Sequence, residues 1–67
     1  MNTETYIDIV RSSLVANHGM NRKEADEAIK DYQLETRIER HPLIINLDDP
    51  KMMAEIIVKE MKQYTEV

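Results

Sequence analysis

Ser12, Ser13 and His18 bring two hydroxyls and an imidazole into one short stretch, the raw material of an acyl-transfer nucleophile with its general base. That chemistry also needs a third group to orient the base and donors to hold an oxyanion. No such groups stand nearby, and His18 falls where a first helix should already have ended. Exposed serines and a capping histidine are the simpler assignment. His41, Asp48 and Asp49 offer nitrogen and oxygen ligands, but their spacing matches no zinc or calcium pattern, and the aspartates suit a helix cap better. No catalytic, metal-ligating or cofactor-binding residue is assigned, so the chain is expected to be non-enzymatic and to carry no cofactor.

A different chemistry, phosphate and base recognition, would use Asn21, Arg22 and Lys23. They lead the second of two helices joined by a turn at Gly19, with Leu14, Met20, Ala25 and Ala28 at apolar positions around it, the arrangement of a DNA-binding helix-turn-helix. Two features oppose this reading. His18 stands where an apolar residue belongs, and Glu24, Asp26 and Glu27 follow at once and would face phosphates. DNA binding through residues 21–30 is kept as the alternative function. The remaining charges of that stretch, with Asp31, Glu35 and Glu39 interleaved among Lys30, Arg37 and Arg40, read as a solvated face with local pairs such as Asp26 with Lys30.

Gly19, Met20, Ala25, Ala28 and Ile29 also resemble the front of a ubiquitin-associated domain, whose first loop carries a glycine and a large apolar residue followed by alanines. The resemblance covers residues 14–29 and would imply ubiquitin binding. The expected second helix is about twice as long as that family's, and an ordinary two-helix turn with alanines at the crossing explains the same residues.

These residues must be held by helices. A first is expected from about Glu4 to Ala16, capped by Asn2 or Thr3, with Tyr6, Ile7, Val10 and Leu14 on one stripe and Ile9 and Val15 flanking it. Gly19, the only glycine, stops it. Asn21 and Glu24 have capping-box spacing and start a second helix, expected to run over 21–40 until Pro42 pushes His41 out of helical geometry. Its apolar face switches partway. Ala25, Ala28, Ile29 and Tyr32 share one side and Leu34 and Ile38 the other, which predicts either one helix serving two partners or a kink near Gln33. Residues 42–48 are an extended connector or a single helical turn. Asp49 and Pro50 open a third helix over about 50–64, with Glu55 and Lys59 in favourable i, i+4 order, Lys62 on its polar strip, Tyr64 on its apolar side, and residues 65–67 frayed.

The composition agrees. The 67 residues are 42% apolar and 33% charged with a net charge of −4, and hold one glycine, two prolines and no cysteine, phenylalanine or tryptophan. That excludes a disulfide or thiolate zinc staple, disfavours a turn-rich β fold, and weakens attraction to nucleic-acid phosphates. The sequence predicts an all-α fold, a small three-helix bundle forming a single domain over 1–67, with a cytoplasmic home and no membrane span. A chain this short buries only about 60% of its unfolded surface, yet Leu43, Ile44, Ile45 and Leu47, followed by Met52, Met53, Ile56, Ile57, Val58 and Met61, crowd its C-terminal third. The surplus predicts a protein–protein interaction module or regulator, acting on a protein partner or by self-association as a homodimer. No small-molecule substrate is evident.

Overall fold

Local capping chemistry sets most of the helix ends. In the computed structural model, which describes residues 1–65 and side chains as far as Met61, α1 spans Thr3–His18 and is followed by α2 Arg22–Tyr32, α3 Leu34–Arg40, α4 Ile44–Leu47 and α5 Pro50–Thr65. The side chains of Lys62 and Tyr64 and the frayed end expected at residues 66–67 lie outside the described residues, while Thr65 closes α5. The fold is all-α: a small helical bundle whose three principal helices, α1, α2 and α5, are joined by two short ones.

Asn2 rather than Thr3 caps α1, its Oδ1 accepting the Thr5 amide at 2.8 Å. The helix runs one turn-fraction further than its sequence suggests, so His18 belongs to its last turn instead of lying beyond it. Gly19 then adopts φ 68°, and the amides of Gly19 and Met20 both turn back to the Leu14 carbonyl. At the start of α2 the capping box is complete. Asn21 Oδ1 accepts the Glu24 amide at 2.8 Å, and Glu24 Oε1 accepts the Asn21 amide at 3.0 Å.

The second helix is not continuous over 21–40. It stops at Tyr32, Gln33 takes a left-handed conformation (φ 58°, ψ 41°), and α3 starts at Leu34. The switch of apolar faces is the physical reason. A straight helix would aim Leu34 and Ile38 away from the side that carries Ala25, Ala28 and Ile29, whereas the break turns all five into one core with Tyr6, Val10, Leu14, Met53, Ala54 and Ile57. Ala25 and Ala28 are buried on α2, which packs against both α1 and α5, and small side chains permit close approach there. α1 packs chiefly on α5 and also on α2 and α3.

Pro42 ends α3 as expected, with His41 outside helical geometry. Residues 42–48 resolve into one helical turn, α4, in which Leu47 and Asp48 donate to the carbonyls of Leu43 and Ile44, each at 2.9 Å. Asp49 caps α5 by accepting the Lys51 amide at 2.8 Å, and Pro50 takes the first helical position. Asp26 does not pair along its helix with Lys30. It reaches across to α1, where Arg11 donates to it and, at 2.7 Å, to Asp8. Glu55 and Lys59 form no ion pair either; among the described residues the pairs are those two.

A Cβ at Gly19 would meet nothing within 4 Å, so the cost of replacing this glycine is one of backbone conformation alone. Gly19→Ala should lower stability in urea denaturation by about 1 kcal/mol, and Gly19→Asn by less than half as much, because asparagine tolerates the left-handed region.

Candidate functional site

The surplus of apolar side chains is partly absorbed by the core and partly left outside. On α5, Met53, Ala54 and Ile57 share one sector and are buried against α1 and α2. Met53 and Ile57 were expected on the interaction surface and must be removed from it, since side chains 3% and 0% exposed cannot meet a partner. Met52 and Ile56, one helical turn apart, lie along one edge of that sector, with Met52 59% exposed and Ile56 half-buried. Val58 lies half-buried on the opposite edge and packs against the core.

The α4 turn is divided in the same way. Ile44 and Ile45 pack on the core, and in a single turn that choice leaves Leu43 and Leu47 on the far side. They are 64% and 77% exposed. They stand one turn apart, joined through the Leu47 amide and the Leu43 carbonyl. Met61 is separated from this group. With Ala28, Asp31, Tyr32, Arg37, Ile57 and Glu60 it lines a cleft between α2, α3 and α5.

What fixes the connector in this orientation is a buried phenol. Tyr6 on α1 is fully buried, and its Oη donates to the Asp48 carbonyl at 2.9 Å. Burial, reinforced by the nearby charges of Asp48 and Asp49 and by Tyr32, pushes its pKa up from 10 to about 12. Periodicity placed Tyr6 in the core stripe but gave no sign of the Asp48 bond, 42 residues along the chain.

The alternative site is assembled differently. Asn21, Arg22 and Lys23 are exposed at the start of α2, but both the side-chain oxygen and the amide of Asn21 are engaged in the capping box. Arg22 lines a shallow cleft with Asp8, Arg11, Ser12 and Val15. Hydrogen bonding to Asp26 is the largest reason that the Arg11 guanidinium holds its proton more tightly than usual, and Asp8 adds to it. Two of the cleft's charged groups are thus already paired with each other. Glu24, Asp26 and Glu27 are exposed along the same helix.

The serines and His18 do not form a nucleophilic pair. Ser13 is buried and accepts from Asn17 Nδ2 at 3.1 Å, while Ser12 is exposed. Among the described residues no three His, Asp or Glu side chains converge as metal ligands. None of their helices is long and apolar enough to cross a membrane. No family model matches the chain, and no curated protein or solved structure matches it.

Tyr6→Phe should cost about 1 kcal/mol, the usual value of a buried hydrogen bond whose acceptor is left behind. The pH dependence follows from the raised pKa. Between about pH 10 and 12 the folded chain keeps a proton that the unfolded chain has released, so this contribution is complete below pH 10 and is lost as pH rises toward 12. Denaturation measured from pH 9 to 12 should show the wild type losing its stability advantage over Tyr6→Phe across that window.

Proposed function

We propose that this protein is a non-enzymatic helical interaction module that binds another protein chain, a second copy of itself in the first place, through α4 and the adjoining edge of α5. The observation that carries the reading is the exposure of Leu43, Leu47 and Met52, bordered by the half-buried Ile44, Ile45 and Ile56. Isolated apolar residues on a surface are ordinary, but two i, i+4 pairs in fourteen consecutive residues put their side chains on one short stretch of chain. A standard interface takes about 800 Å² from each partner, roughly one-sixth of this chain's 5084 Å². Methionine supports the same reading, because its flexible thioether adapts to a partner's contour.

A cytoplasmic setting fits a chain with no cysteine. The competing reading, a DNA-binding regulator acting through Asn21, Arg22 and Lys23, is disfavoured by the net charge of −4 and by the acidic residues that follow on α2.

Sedimentation of the wild type over a range of concentrations should show reversible association toward twice the 7.9 kDa chain mass. Leu43→Glu with Leu47→Glu should abolish it while changing folding stability by less than about 0.5 kcal/mol, because neither side chain is in the core. Ile57→Ala is the control for core damage and should cost about 2–5 kcal/mol. A strict monomer at all concentrations, or reversible, concentration-dependent association that survives the double substitution, would count against the proposal.

A further inference from the structure

Helices α2 and α3 are joined by no loop at all: Tyr32 ends one, Leu34 begins the other, and Gln33 alone makes the turn. Among the described residues Gln33 is the one non-glycine with positive φ, a conformation that crowds its Cβ against the following carbonyl. The flanking sequence gives no local reason for a break. From Arg22 to Arg40 there is neither glycine nor proline, and Glu, Lys, Arg, Ala, Leu and Gln dominate, all good helix formers. Uninterrupted, these residues would make a helix about 28 Å long.

The packing is divided at the same residue. Tyr6, Val10, Leu14, Ala25, Ala28 and Ile29 come from one side of Gln33; Leu34, Ile38, Met53, Ala54 and Ile57 come from the other. The main helix contacts across this seam are α1 with α5, α2 with α5, α1 with α3 and, beside the hinge, α2 with α3, while α3 and α5 hardly touch each other. The core is therefore an interface between two segments of one chain, and the strained residue is its only hinge.

We infer that Gln33 is the hinge of a reciprocal exchange in which two copies of this chain swap their α3–α5 segments, each break closing into one uninterrupted helix from Arg22 to Arg40. Straightening carries Leu34 and Ile38 to the face opposite Ala25, Ala28 and Ile29, so one copy cannot then bury both groups by itself. The partner's α1 and α2 present the same receiving surface. The contacts that α1 and α2 make with α5, and α1 with α3, are remade between copies, the Tyr6 to Asp48 hydrogen bond included, and the left-handed residue is relieved; only the contacts beside the hinge itself are given up. A short, strained hinge joining two mutually dependent segments is the arrangement that invites such exchange.

A clamp opposes it. Arg37 Nε donates to the Tyr32 carbonyl at 2.8 Å, and its guanidinium lies 4.2 Å from the Tyr32 ring centroid. In an uninterrupted helix that carbonyl would accept from the Thr36 amide instead. Asp31 and Glu35, four residues apart, would also face each other with like charge along a straight helix. These features hold the bent monomer and make the exchanged dimer a species that forms slowly, through unfolding. The inference does not rest on the Leu43 and Leu47 surface.

The test is refolding from urea at about millimolar chain concentration, followed by dilution and size exclusion with light scattering. A dimer that persists for hours after dilution is expected. Gln33→Ala with Arg37→Ala should enrich it about tenfold, since the first favours a straight helix and the second removes the clamp. Gln33→Gly should suppress it about tenfold or more, because glycine removes the left-handed strain and weakens a straight helix. Leu43→Glu with Leu47→Glu should leave it intact, which separates it from association through α4. In a dimer of mixed isotope-labelled and unlabelled chains, α1 to α5 contacts should appear between chains. Monomer alone in every variant, a dimer whose yield Gln33→Gly does not change, or α1 to α5 contacts confined within chains would overturn the inference.

Discussion

A single core has to be filled from apolar residues that a straight second helix would point in opposite directions, and the left-handed turn at Gln33 is what reconciles them. Ala25, Ala28 and Ile29 enter the core from one side of that residue, and Leu34 and Ile38 from the other. Because a chain of this length buries so small a fraction of its surface, giving up either group would remove a large part of its single core. The strain at one backbone position is small against the burial of two large aliphatic side chains. The resulting body has a Cα radius of gyration of 11.2 Å, close to the roughly 11 Å of a compact chain of this length.

The same economy shapes the surface. Once α3 has been turned inward, Pro42 ends it and the chain must return to begin α5. The Tyr6 hydroxyl ties the return at the Asp48 carbonyl. That tie presses Ile44 and Ile45 onto the core and thereby turns Leu43 and Leu47 outward. The apolar face assigned to a partner is thus a consequence of how the connector is anchored. α5 repeats the pattern: committing Met53, Ala54 and Ile57 to the core leaves Met52 outside and Ile56 at the margin.

Helix ends were the most legible part of the sequence, because caps are chemistry between residues two to four apart. Asn2, Gly19, the Asn21 and Glu24 box, and Asp49 with Pro50 all act where their types and spacing put them. The break at Gln33 was visible only indirectly, as a change of apolar face, since glutamine carries no turn preference and the deciding energy is tertiary. For the same reason Asp26 gave no sign of preferring Arg11 on another helix to Lys30 on its own. The surplus near the C-terminus could be read from composition. Which members of it stay outside could not, because periodicity shows that Met52, Met53, Ile56 and Ile57 occupy different sectors but not which sector α1 will cover.

The most direct measurement is methyl NMR of the intact chain as its concentration is raised toward the millimolar range. Binding through the α4 face requires the methyl resonances of Leu43, Leu47, Met52 and Ile56 to shift together along one saturable curve while those of Val15 and Ile57 stay still. If these four hold their positions throughout, or if the methyls that move belong to α1, then the face is not where this protein meets another copy of itself.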